Sequence, residues 1–194
     1  PYTGAINIST STVVKAFAVA VGYVSSFTTS AEYVFPVDVA NLAELRAAFI
    51  TDPNGLYKVN GEVVLTYQQS YRGQKFIQDA TAGVLIDDNS GAITTEYQIY
   101  DGITGMVGTV GEYGGMIQFI PYQDPGAPTS NANIVVPEVI TINDFVGNFE
   151  DYESELVQIL GVSFADAGAS FSNGTAYAIS DASKAEGFFR ATFY

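Results

Sequence analysis

The 194 residues are enough for one large domain or two small ones. Hydrophobic residues make up 47% and charged residues 14%, with a mean hydropathy of +0.18, which excludes a disordered chain and leaves room for apolar surface that needs a partner. Seven Lys and Arg against 21 Asp and Glu give a net charge of -14, which speaks against a nucleic-acid partner; no apolar window is long enough for a membrane span; and the lack of any Cys or His removes disulfides, thiolates, the usual zinc sites and the commonest general base.

Nothing resembling a secretion signal precedes Pro1, so any such signal is expected to have been removed or to lie upstream. From the start of the chain, Ala5 to Ser9 alternates, Val13 to Val19 is a β-branched and aromatic run, and Ser30 to Phe35 is strand-like, which predicts three strands. Three strands cannot bury two faces. Ile6, Ile8, Val13, Phe17, Val19, Tyr33 and Phe35 are therefore expected to pair with something outside the segment, and they are the candidate assembly residues.

The runs Tyr2 to Ser9, Val13 to Val19, Gly22 to Ser26 and Ala31 to Phe35 resemble the second half of the immunoglobulin-like repeat named after the C-terminal domain of chitobiase and β-hexosaminidase. That resemblance covers about 35 residues and implies half of an accessory β-sandwich from a secreted bacterial protein, with no catalytic residues to carry over.

Pro36 ends the segment. Asn41 to Phe49 is the best helix, with Asn41 as cap, Glu44 three residues on, and Leu42, Leu45 and Phe49 on one face. After the Asp52-Pro53-Asn54-Gly55 turn come five strand-like runs: Leu56 to Tyr67, Lys75 to Asp79, Gly83 to Asp87, Ile103 to Val110 and Met116 to Tyr122. Five short strands with glycines at the bends predict a Greek-key barrel of the OB type. The run Phe76 to Asp87, with Asp101 to Gly105 and Gly108-Thr109 later, resembles OB-like domains of uncharacterised secreted proteins of the Bacteroides group, which implies a fold and a habitat and no catalytic residues.

A linker is expected over 124–138, and then the pattern returns: Leu56, Val59 and Gly61 correspond to Leu156, Ile159 and Gly161, and Ile77, Asp79 and Ala80 to Ile179, Asp181 and Ala182. A second helix is expected from Thr141 through Phe145 and Phe149. The expected organisation is mainly β: a partial Ig-like segment over 1–35, an OB-like barrel over 36–123, the linker, and a second, incomplete OB-like repeat over 139–194. On this reading the chain begins and ends within a module.

Carboxylates, hydroxyls, phenols and seven cations are the remaining chemistry, and neither a Ser-x-x-Lys run nor a protected pair of acids stands out, so no enzyme is expected. Asp87, Asp88 and Asn89 offer hard oxygen ligands in an acidic turn, which makes calcium the one candidate cofactor, although the same residues suit a plain hairpin. Tyr67, Tyr71, Tyr97, Tyr100, Tyr113 and Tyr122 fall near strand ends, where aromatic faces can stack on sugars. Asn7-Ile8-Ser9 and Asn173-Gly174-Thr175 match the glycosylation acceptor pattern, which carries little weight in a bacterial chain. Two functions fit: an extracellular or cell-surface module that assembles with neighbouring copies as a fibre or stalk, or a glycan- or polymer-binding accessory module in a larger secreted protein.

Overall fold

The computed structural model describes residues 2–166, 168 and 170–192, so the outermost ends of the first and last expected units lie outside the described residues. Strand β1 (Thr12–Ala16) pairs antiparallel with β2 (Thr29–Tyr33), in a register running from Thr12 opposite Tyr33 to Ala16 opposite Thr29. The expected strand over Ala5 to Ser9 does not form, and among the described residues no strand is paired with it; the run Val13 to Val19 is strand only as far as Ala16. Past the hairpin, the Phe35 N–H is held by Ser11 Oγ at 3.0 Å.

Next come β3 (Val37–Val39), α1 (Leu42–Thr51), β4 (Leu56–Val59), β5 (Val63–Gln68), a single 3-10 turn (Tyr71–Gly73), β6 (Lys75–Gln78), β7 (Gly83–Ile86), β8 (Gly102–Ile103), β9 (Met106–Tyr113) and β10 (Met116–Pro121). They form one eight-stranded sheet in the order β3-β4-β9-β10-β7-β6-β5-β8. The sheet closes on itself because β4 and β5 are two stretches of one bent strand, broken at Asn60-Gly61-Glu62. β4 pairs with β9, while β5 pairs with β6 on one side and β8 on the other. With β7 parallel to β10, and β10 antiparallel to β9, the ring of five strands in chain order reads 1-2-3-5-4-1. This is the expected OB-like Greek-key barrel.

Alternation builds the interior: Tyr57 and Val59 of β4 and Met106, Gly108 and Val110 of β9 point inward, while their neighbours are partly exposed. Leu42 and Leu45 of α1 are fully buried, and Phe49 packs against the same core. The helix starts where the sequence predicts: Asn41 Oδ1 accepts the Glu44 N–H at 2.9 Å. Its first free N–H, from Leu42, is taken by Asp79 Oδ2 at 2.8 Å, across the β6–β7 turn.

Residues 124–138 contain no helix or strand until β11 (Glu138–Ile140) begins, yet they are bonded along the barrel: Thr129 donates to Glu62 at 2.6 Å, and Gly102 N–H to Ser130 O at 2.9 Å. Then follow α2 (Ile142–Gly147), α3 (Phe149–Tyr152), β12 (Val157–Ile159), β13 (Ser163–Phe164), β14 (Ala176–Ser180) and β15 (Glu186–Arg190). The single second helix expected from the sequence is two short ones, interrupted at Asn148.

The internal repeat is visible in the pairing. β11 lies parallel to β12 with Ile140 opposite Ile159, as β3 lies parallel to β4 with Val39 opposite Val59. β14 and β15 repeat the β6–β7 hairpin, and Ile142 N–H donates to Asp181 Oδ2 at 2.8 Å as Leu42 does to Asp79. The second unit sits against the outside of the first. Glu153, with a side chain 0% exposed, accepts from Arg46 of α1 at 3.1 Å and from the Ile117 N–H at 2.6 Å.

Candidate functional site

The β5–β6 loop and the β9–β10 turn rise from the same end of the barrel and enclose a cleft of about 240 Å³ lined by Tyr71, Arg72, Gln74, Tyr113 and Gln118. The turn is tight because Gly114 and Gly115 both take positive φ (63° and 85°), which lets two residues join the long β9 and β10 strands and holds Tyr113 at the rim. On the opposite wall Arg72 also takes a positive φ, 53°, a conformation costly for a side chain with a Cβ. Its guanidinium grips Asp87 with both arms, Nε to Oδ1 at 2.7 Å and Nη2 to Oδ2, and this fork holds the loop. The hydrogen bond from Arg72 keeps the Asp87 carboxyl below its ordinary range in spite of burial.

The cleft therefore presents two phenol rings, two carboxamides and the partly exposed edge of a guanidinium whose charge is already shared. Those groups suit a neutral ligand with many hydroxyls. Loops joining the first to the second and the fourth to the fifth barrel strands are where OB barrels hold oligosaccharides and oligonucleotides.

The tyrosines singled out in the sequence divide among different environments. Tyr71 and Tyr113 meet in the cleft. Tyr67 packs its ring on Phe76, 5.8 Å between centroids, and borders a second groove with Thr66, Gln69, Ser154 and Leu156 where the two units meet. Tyr122 is exposed away from the cleft, and Tyr100 adopts a positive φ of 74° in the turn before β8. Tyr97 is no stacking platform: it is 2% exposed and its hydroxyl donates to Gly126 O at 2.5 Å, so it belongs to the core. Sequence reasoning missed Arg72, Gln74 and Gln118, because what brings them together is barrel closure rather than spacing along the chain.

The acidic turn turns its carboxylates to different partners. Asp87 faces Arg72, whereas Asp88 accepts the Ala92 and Ile93 N–H groups at 2.7 and 3.0 Å and so closes its own loop, and Asn89 is exposed. Among the described residues there is no group of three or more acidic side chains placed to hold a metal ion. Asp124 is consumed in the same way by Thr94, Thr95 and Gly126; hydrogen bonds, the Thr94 hydroxyl foremost, hold its carboxyl far below the ordinary range.

Of the candidate assembly residues, Ile6, Val13, Phe17, Val19, Tyr33 and Phe35 are all exposed, and Ile8 is partly so. Comparison with family models, curated proteins and solved structures finds no match. The reading of function therefore stands on geometry and chemistry alone.

Proposed function

We propose that the chain is a non-catalytic module of a bacterial extracellular or cell-surface protein and that it associates with neighbouring copies by strand pairing, as in a fibre or stalk. One observation carries this reading: between residues 2 and 35 every side chain is exposed except those of Ile8 and Val14, which are only partly covered, although the segment is an apolar two-stranded hairpin. An uncovered ladder with apolar side chains on both faces is a template for another strand. The test compares the full chain with a version beginning at Pro36 by sedimentation. The full chain is expected to associate with rising concentration and the shortened one to remain a monomer; equal monomers overturn the reading.

A second reading is favoured by the cleft, whose paired Tyr71 and Tyr113 beside Gln74 and Gln118 fit a neutral oligosaccharide and hence an accessory role in a larger secreted protein. Truncating either ring is expected to weaken binding about tenfold, in line with the loss of one stacking contact. Calorimetry with N-acetylglucosamine and xylose oligomers measures it, and absence of heat with either series ends this reading.

A further inference from the structure

The groove where the two units meet is built differently from the cleft. It holds about 190 Å³ between the strands β5 and β6 and the segment from Ser154 to Leu156. Its barrel wall is aromatic: Tyr67 is 45% exposed, and its ring tilts on that of Phe76.

The polarity of this groove is set by a chain of side chains that begins in the cleft. Asp87, ionised and able only to accept, takes a hydrogen bond from the Gln74 amide. Gln74 therefore presents its Oε1 on the opposite side, where Gln69 Nε2 donates to it at 2.5 Å. The Gln69 atom left over must then be an oxygen. That oxygen is buried without a hydrogen-bond partner among the described residues, and so is Ser154 Oγ. Between them and the rings stands Glu155 on the groove's wall, which takes part in no ion pair among the described residues. Burial, and after it Glu138, push its carboxyl above the ordinary range, while the opposing cation, Arg46, is already shared between Glu150 and Glu153. Three of the groove's donors are engaged elsewhere: Gln69 Nε2 on Gln74, the Thr66 hydroxyl on Phe76 O at 3.2 Å, and Leu156 N–H on Gln78 Oε1 at 2.8 Å.

Such a groove is rich in acceptors and poor in positive charge. An anion is repelled by Glu155, and a neutral polyol leaves that carboxylate uncompensated. A cation with several N–H groups meets both needs, and the face of an aromatic ring attracts it as well. We propose that the groove binds an organic cation, a protonated amine or a guanidinium on an apolar stem, with the stem against Tyr67 and Phe76 and the N–H groups toward Gln69, Ser154 and Glu155. The site is separate from both the cleft and the hairpin, and neither reading of function depends on it.

Ligand-observed NMR titrations of the full chain test this at about 0.15 M salt, which screens general attraction to a net charge of -14. The charged probes are the N-acetyl amides of lysine and arginine, which stand for a basic side chain of a partner, and cadaverine, which stands for a free amine; the tighter kind identifies the source. The neutral probes are the N-acetyl amides of norleucine and citrulline, which match the first two in shape. At least one charged probe is expected to bind at least about tenfold more tightly than the neutral ones. Glu155→Gln and Tyr67→Leu are each expected to weaken it about tenfold, whereas Glu112→Gln, which removes the same charge from β9 outside the groove, leaves it unchanged. Neutral probes that bind as well as charged ones overturn the proposal, as does a full chain that binds none of them; this comparison does not depend on how any variant folds. Equal losses for Glu155→Gln and Glu112→Gln overturn it too, because they would mean attraction to the acidic surface as a whole.

Discussion

Asp79 and Asp181 do the same work in the two units. Each uses one carboxylate oxygen to take the first N–H of a helix and the other to fix its own turn through Thr81 or Ser183. A helix begins with N–H groups that have no partner within it, and a carboxylate there is favoured by hydrogen bonding and by the helix dipole. Asp79→Ala is expected to destabilise the barrel by about 1–2 kcal/mol in urea unfolding; no loss of stability would mean that water replaces the carboxylate. Asp87, Asp124, Asp144 and Asp181 all have carboxyls lowered by hydrogen bonds, from Arg72, Thr94, Thr141 and Ser183 respectively. A folded value below the unfolded one stabilises the fold above the unfolded pKa and is lost as the pH falls through the folded pKa. The melting temperature is thus expected to drop as the pH passes below the ordinary carboxyl value of 3.8. Glu155, raised by burial, acts with the opposite sign, so protonating it recovers part of that loss. Thermal melts from pH 6 to pH 2 check the direction; a chain that melts higher at pH 2 than at pH 6 contradicts it.

Among the elements, the joint between units is built on a buried ion pair. Glu153 is buried between Arg46 and the Ile117 N–H, and Leu156 N–H donates to Gln78 Oε1 at 2.8 Å beside it. The approach is close enough that a Cβ on Gly83 would stand 2.5 Å from the Ser154 carbonyl carbon, so glycine is required there. Glu153→Ala takes its buried partner from a guanidinium that is 14% exposed but leaves it Glu150 Oε2 at 3.4 Å and the Gly83 carbonyl at 3.1 Å, and it strips the Ile117 N–H of its acceptor, so it is expected to cost about 2 kcal/mol. Pairing it with Arg46→Met in a double-mutant cycle separates the ion pair from simple loss of packing, and additive effects would deny the coupling. These residues were not legible in the sequence, because Arg46 and Glu153 lie on elements far apart in the chain and nothing in either local pattern names the other. The capped α1 and the five barrel strands were legible, since Asn41 with Glu44, the period-two alternation and the glycine turns are local signals that tertiary packing did not override. The strand predicted over Ala5 to Ser9 fails for the complementary reason: alternation is necessary for a strand, but a ladder needs a neighbour. In the cleft, Tyr71 and Tyr113 were legible as aromatic residues near strand ends, whereas Tyr97 has the same look in the sequence and is distinguished only by its burial.

For the whole molecule, the decisive balance is between apolar surface and charge. The net charge of -14 spreads repulsion over any encounter between two copies, while the exposed apolar side chains of the hairpin are the surface that the proposed association would bury. Salt separates the two effects. The screening length is about 30 Å at 0.01 M salt and about 8 Å at 0.15 M, so raising the salt removes most of the long-range repulsion between acidic copies. Burial of side chains such as Phe17 and Val19 is not weakened by that change, since it depends on the removal of apolar surface from water rather than on charge. Association through the hairpin is therefore expected to strengthen as salt rises from 0.01 M to 0.15 M, opposite to what an interface held by ion pairs would do. The chain beginning at Pro36 keeps nearly all of the acidic charge, losing only Lys15 and Glu32 from the described segment, yet it lacks the hairpin. It should stay monomeric at both salts. Sedimentation of the two chains at the two salts reads all four states: oligomers of the full chain that dissolve at 0.15 M salt would show that charge rather than strand pairing holds them together.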